Sequence, residues 1–456
     1  MLKGYEEYKR SDSNWITKVP AHWKVTTLRA LLKNVSEKNY PHKELLSVTR
    51  EKGVILRNVE SKEENHNYVP DDLSNYKLVK KGQFVINKMK SWQGSYGVSD
   101  YEGIVSPAYF TFDLEFENVK YFNKAIRSKA YVPFFAQYSV GIRVGQWDLD
   151  INKLKNFPFY IPPRQEQDKI VQYLDWKTSE MNRFICQKKK QIKLLEELKG
   201  AIINKIIFSG IHNVEKKETK CNWIPDIPKH WKLKKAKVLF KEVVDTGYGN
   251  ELPLLSITNK DGVVLQSETG RKRRMSEDAS GYKRIKPGDI GYNLMNAFIG
   301  SLGVSEYDGL ISPAYAVCRP IVKMCSKYYQ YVYRTPQFLQ EFDNNSYGIM
   351  IERNRLYFDS FKQIMAPVPP YEEQIEIVEY LEKRLAEIDE MISSIQKEIS
   401  LVEELKVKLI SDVVTGQVDV RDIKIPTYET ETDNIETEDD SEEISDEQIF
   451  DESIEE

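Results

Sequence analysis

Seven consecutive residues, Asn87-Lys88-Met89-Lys90-Ser91-Trp92-Gln93, gather two ammonium groups and two planar carboxamides into one short stretch. Such donors and acceptors are the groups that recognise base edges, Arg or Lys pairing with guanine and Asn or Gln with adenine. A related stretch, Asn293-Leu294-Met295-Asn296-Ala297-Phe298, keeps the asparagine and methionine but not the lysines or the glutamine. Further along, Arg143, Gln146 and Trp147 correspond to Arg353, Asn354 and Arg355. The run Arg271-Lys272-Arg273-Arg274 suits phosphate contact, which positions a polyanion without reading it. Plainer readings stay open for each: Asn87 and Asn293 as turn caps, Trp92 as core, the basic run as a solvated loop.

Little else in the chain is spaced for covalent chemistry. Cys186, Cys221, Cys318 and Cys325 show no CxxC spacing, and His22, His42, His66, His212 and His230 are scattered, so no zinc set is indicated and the cysteines read as reduced, inert thiols. Val368-Pro369-Pro370-Tyr371 has the rings of an adenine methyltransferase loop but a valine where the polar acceptor must be. No GxxxxGK[ST] phosphate loop and no spaced Asp, Glu and Lys set of a metal-dependent nuclease is present. Catalysis, metal binding and cofactor binding by this chain are therefore not expected.

The candidate readers come in pairs because the chain repeats itself. Trp15-Ile16 and Val19-Pro20-Ala21-His22-Trp23-Lys24 return as Trp223-Ile224 and Ile227-Pro228-Lys229-His230-Trp231-Lys232, 208 positions later. Leu45–Thr49 returns as Leu254–Thr258, Gly94–Ser99 as Gly300–Ser305, Ile104–Tyr109 as Leu310–Tyr315, and Pro162-Pro163-Arg164-Gln165-Glu166-Gln167 as Pro369-Pro370-Tyr371-Glu372-Glu373-Gln374. A period near 207 means two copies of a domain, not a solenoid. The four tryptophans read as packing anchors. Ser106-Pro107-Ala108-Tyr109 and Ser312-Pro313-Ala314-Tyr315 read as scaffold, with hydroxyls in reach of phosphates.

At 456 residues, 41% hydrophobic, the chain has material for separate cores. It has no apolar run of about 18 residues and no signal-peptide stretch, so a soluble cytoplasmic protein is expected, without membrane contact. Its net charge of −4 hides an asymmetry, because residues 427–456 hold fifteen Asp or Glu and no Lys or Arg. Without that segment, 66 basic residues face 55 acidic ones, leaving a body of net +11, compatible with a polyanion partner.

Within each copy, strand-forming segments such as Gln83–Asn87 and Gly262–Leu265, with helices near 120–135 and 326–342, predict a mixed α/β domain. After each double proline the pattern changes. Ile170, Leu174, Met181, Phe184, Ile192, Leu195, Leu198, Ile202 and Ile206 form one apolar stripe; Ile375, Val378, Leu381, Leu385, Ile388, Ile392, Ile395, Ile399, Val402, Leu405, Leu409 and Val413 form the other. Both predict helices of about 40–45 residues, roughly 60–68 Å long, ending at Gly210 and Gly416. Such narrow stripes want another helix. The economical arrangement is an antiparallel coiled coil holding two heads at opposite ends with pseudo-twofold symmetry.

The paired W-I-P-x-x-P-x-H-W-K-like openings, the S-P-A-Y segments, the P-P-x-x-E-Q helix entrances and the ending Val414-Thr415-Gly416-Gln417-Val418-Asp419-Val420 together resemble the specificity subunit of type I restriction-modification enzymes. The resemblance covers about residues 14–421 and lies in the order and duplication of the motifs. It implies an α/β (α+β) fold with target-recognition domains at 1–160 and 212–368 and spacer helices at 161–211 and 369–421; outside the resemblance, the acidic, low-complexity composition of 422–456 predicts a disordered tail. It further implies a non-catalytic subunit that reads a bipartite, asymmetric sequence in double-stranded DNA. Two modification (methyltransferase) subunits and the restriction (translocase and endonuclease) subunits would be its partners, and would carry S-adenosylmethionine, ATP and Mg. A coiled-coil scaffold with protein-binding ends, the tail docking a further protein, is the rival reading, and it predicts assembly without DNA dependence. For the tail itself, shielding of basic surface, DNA mimicry and plain solvation remain open.

Overall fold

A computed structural model describes residues 3–11, 13–57, 70, 72–143, 146–248, 252–269, 281–348 and 354–428. The chain packs as two compact units, one formed by residues up to Lys189 together with those from Gln396 on, the other by Lys190–Ile395.

Each unit is organised on a four-stranded antiparallel sheet. In the first, β1 (Leu32–Val35), β2 (Phe84–Asn87), β3 (Tyr96–Val98) and β4 (Tyr109–Leu114) lie in the order β1-β4-β2-β3. In the second, β5 (Phe240–Glu242), β6 (Ile290–Asn293), β7 (Leu302–Val304) and β8 (Tyr315–Pro320) lie in the equivalent order β5-β8-β6-β7. Phe84-Val85-Ile86 is a continuous apolar run because both faces of β2 are covered. Phe84 and Ile86 enter the main core with Tyr96, Phe122 and Phe135, while Val85 enters a smaller cluster with Leu46, Val48 and Val54. Helices Val119–Ile126 and Val132–Gln137 contribute to the first face and the hairpin Leu46–Thr49/Gly53–Leu56 to the second. In the other unit, Ser326–Tyr333, Pro336–Asn344 and the hairpin Leu255–Thr258/Gly262–Leu265 do the same.

Two long helices follow the double prolines: α1 (Arg164–Ser209) and α2 (Tyr371–Val414). They run antiparallel to each other in both units. In the first, Lys406 Nζ reaches Asn182 Oδ1 at 2.7 Å and Lys188 pairs with Glu398 at 2.7 Å; in the second, Lys199 pairs with Asp389 at 2.6 Å. The seam departs from the sequence stripe at Phe184, Leu198 and Leu405, which are 37%, 47% and 52% exposed, while Ile185 is buried. A 3.6-residue helix drifts about 20° per heptad against a 3.5 repeat, so a fixed stripe walks off the contact face.

The repeated motifs meet at one joint per unit. Trp23 Nε1 donates to Glu166 at 2.8 Å, Tyr5 Oη donates to the same carboxylate at 2.6 Å, and His22 Nε2 lies 2.8 Å from it. Burial and the Glu166 carboxylate push the Tyr5 phenol far above its ordinary range, keeping it a donor. Gln167 and Gln374 donate to the Pro162 and Pro369 carbonyls at 2.9 Å. Gly416, at φ 71°, lies against Pro20 and Trp23; Gly210, at φ 68°, lies against Trp231. Trp23 and Trp231 are thus the buried anchors the sequence suggested, whereas Trp223 is half-buried and Trp15 is 50% exposed.

Candidate nucleic-acid interface

Asn87 ends β2 and is buried, its Oδ1 accepting from the backbone N–H of Met89 at 3.1 Å and Lys90 at 3.2 Å. A carboxamide folded onto the next two residues is a turn-former. Ser91–Gln93 then make a single 3₁₀ turn, closed by Gly94 at φ 103°. The second unit repeats the geometry: Asn293 Oδ1 accepts from Met295 N at 2.9 Å, Ala297–Ile299 make the 3₁₀ turn, and Gly300 closes it at φ 89°. In both, the capping role left open by the sequence is the geometry found. The turn presents Met89, Lys90 and Gln93 in one unit, and half-buried Asn296 and Phe298 with exposed Ile299 in the other.

Beside each turn lies the S-P-A-Y segment. Tyr109 pairs with Asn87 across β4–β2, and Tyr315 with Asn293 across β8–β6. Lys77 Nζ donates to the Tyr109 carbonyl, and Lys283 Nζ to the Tyr315 carbonyl at 2.7 Å. Burial, then Lys38 and Lys88, lowers the Lys77 pKa; burial lowers that of Lys283. These two lysines were not singled out by spacing, although Tyr76-Lys77 recurs as Tyr282-Lys283 at the repeat offset.

A third segment joins the surface. In the first unit the hairpin Ser139–Arg143/Gln146–Leu149 packs onto the turn: Trp147 stacks on Trp92 with centroids 5.1 Å apart, Lys88 pairs with Asp148 at 2.7 Å, and Leu149 N donates to Lys88 O at 3.3 Å. Trp92 is therefore half-buried by Trp147 rather than by the main core. In the second unit Leu356 N donates to Leu294 O at 2.8 Å, Arg355 bridges to Tyr347, and the Tyr347 and Tyr357 rings lie 5.1 Å apart. Asn354 is half-buried and Arg355 exposed. The structure thus brings both sequence clusters of each copy together. The two tyrosines carried no sequence signal, having no counterpart in the first copy. The side chains of Arg143 and Gln146, with Arg271, Lys272, Arg273, Arg274 and Arg353, lie outside the described residues.

Each unit therefore exposes, at one end of its sheet, a surface of hydrogen-bonding, cationic, aromatic and aliphatic groups on the closed turn and the segment packed against it. Among the described residues no cluster of three or more His, Cys, Asp or Glu could hold a metal ion, and no helix is long and apolar enough to cross a membrane.

No family model matches the chain. In sequence it is similar to the type I restriction enzyme MjaVIII specificity subunit of Methanocaldococcus jannaschii, 26% identical over 297 residues, 60% of this chain and 65% of that protein. It is also 22% identical, over 61% of its length, to the MjaX specificity subunit of the same organism, covering 63% of it. The chain thus matches somewhat under two thirds of the length of these relatives. In fold it is similar to a chain solved in work on complex assembly and conformational transition of the type I R-M system, with a TM-score of 0.61 at 15% identity, covering 88% of this chain and 99% of that one. The HsdS subunit of Thermoanaerobacter tengcongensis aligns over 88% of the chain with a TM-score of 0.45.

Proposed function

We propose that this chain, a relative of type I restriction enzyme specificity subunits in sequence and fold, is itself the sequence-reading subunit of such a system and performs no chemistry. The observation that carries the reading is one sheet-end surface built twice, with the same backbone turn and different side chains, on two units linked by paired helices. Two such surfaces suit a bipartite DNA target whose halves differ, with the helices setting the gap. Lys88, Lys90, Trp92, Gln93, Arg143 and Gln146 are assigned to one half, and Asn296, Arg353, Asn354 and Arg355 to the other, with Arg271, Lys272, Arg273 and Arg274 on phosphates and the buried Asn87 and Asn293 holding the turns that present them.

Partner docking is assigned to the long helices. Leu194 and Leu198 on α1, and Leu401 and Leu405 on α2, are 64%, 47%, 64% and 52% exposed and occupy equivalent positions 207 residues apart. Two matching pairs of exposed leucines suit two copies of one partner, the methyltransferase subunit, with restriction subunits joining that assembly. S-adenosylmethionine, ATP and Mg then belong to those partners, and the assembly works in the cytoplasm.

The test is long-read methylome sequencing of the source cells with the gene intact and deleted. Deletion should erase methylation at one bipartite motif with a fixed gap. Replacing Asn87–Gln93 should alter one half of that motif only, and inserting about one heptad into both helices should change the gap while preserving both halves. A methylome indifferent to the gene counts against the reading.

A further inference from the structure

The two sheet-end turns share a backbone and differ in chemistry. Aligned on Asn87 and Asn293, Lys88 corresponds to Leu294, Lys90 to Asn296, Ser91 to Ala297, Trp92 to Phe298 and Gln93 to Ile299. Four of these five exchanges replace a side chain with a hydrogen-bonding group by a purely hydrocarbon one. The outward positions show it most plainly: Lys90 and Gln93 are exposed on the first turn, whereas the second presents Ile299, 45% exposed, next to Asn296. Ile299 is not core left bare by chance of packing. It occupies the last position of a closed 3₁₀ turn, where its counterpart Gln93 also faces solvent.

In the major groove, guanine offers two acceptors to a cationic donor, adenine offers a donor and acceptor to a carboxamide, and thymine alone offers a methyl group to an aliphatic side chain. We propose that the two aligned turns read different base pairs: the first unit reads a G·C pair through Lys90, and the second reads an A·T pair through Asn296 and the contact of Ile299 with a thymine methyl. This rests on the DNA-reading function proposed above, and makes Lys90 and Asn296 equivalent specificity determinants, with Ile299 added in the second unit.

The test uses the full chain with its partner subunits and duplexes carrying the motif found by methylome sequencing. Thymines of each half are replaced in turn by deoxyuridine, which removes only the C5 methyl. One thymine in one half-site should weaken binding roughly fourfold on replacement, the worth of about one buried methyl group. Ile299→Ala should abolish that thymine–uracil difference and leave the other half unchanged. Lys90→Ala should relax a G·C position in the other half only. Variants that keep a wild-type methylome while retaining the thymine–uracil difference overturn the inference, as does an Ile299→Ala variant that relaxes a G·C position. A motif dependent on the gene but insensitive to every deoxyuridine overturns it while sparing the DNA-reading function; a methylome without any such motif overturns both.

Discussion

Glu166 shows how one residue can hold a joint together. Its carboxylate, 5% exposed, takes the indole of Trp23, the phenol of Tyr5 and the imidazole of His22. Its counterpart Glu373 holds only His230, at 2.8 Å, and the indole N–H of Trp231 is buried without a partner among the described residues. Hydrogen bonds to a buried charge are worth about 1.5–3 kcal/mol each against an unsatisfied alternative. Glu166→Gln should therefore lower unfolding free energy by about 2 kcal/mol, and Glu373→Gln by less, as read from urea denaturation; equal losses would contradict this account. Lys88 and Asp148, by contrast, are 37% and 58% exposed, so Asp148→Ala should cost under about 1 kcal/mol in the same assay. Both glutamates were visible as a repeated motif letter. Their partners were not, because they lie more than 140 positions away in the chain.

At the level of elements, the glycines of the long helices behave in opposite ways. Gly200 lies within α1, where an added methyl group meets nothing within 4 Å. Gly200→Ala should stabilise by about 0.5–1 kcal/mol, since alanine restricts the unfolded chain and favours helix. Gly416 ends the α2 segment in a left-handed conformation at φ 71°, and a Cβ there would lie 2.3 Å from Pro20 Cδ. Gly416→Ala should destabilise by about 2 kcal/mol or more. Thermal melting of the two variants should move in opposite directions, and a shared direction would refute the assignment of Gly416 as a helix stop. The stop signal itself was legible in sequence; the tryptophan it abuts, from the other end of the chain, was not.

For the whole chain, the first unit holds both ends of the described polypeptide. Asp419 N donates to Lys3 O at 2.9 Å, Gln417 Nε2 to Lys18 O at 3.0 Å, and Arg421 lies over the Tyr5 ring. The second unit makes the equivalent connection with continuous chain: Lys216–Lys217 pairs with Ile227–Pro228, as Tyr8–Arg10 pairs with Lys18–Pro20. A permutant joining the segment after Arg421 to Lys3 by a short linker, and opened at exposed His212-Asn213, should fold with its denaturation midpoint little changed. Failure of that permutant to fold, with the linker shown to be long enough, would mean that the two connections are not equivalent.

The amino-acid sequence by itself determined the duplication, the mixed α/β character of each copy, the positions of the two long helices and the clusters of candidate readers. These are local or periodic properties, carried by repeats, prolines, glycines and apolar spacing. Only the tertiary structure decided that Asn87 and Asn293 cap turns, that Trp92 stacks on Trp147, and that Leu198 and Leu405 leave the helix seam. Each depends on which surface meets which. A side chain's hydrogen-bond partner or covering neighbour is set by packing between segments far apart in the chain, and no local pattern records it.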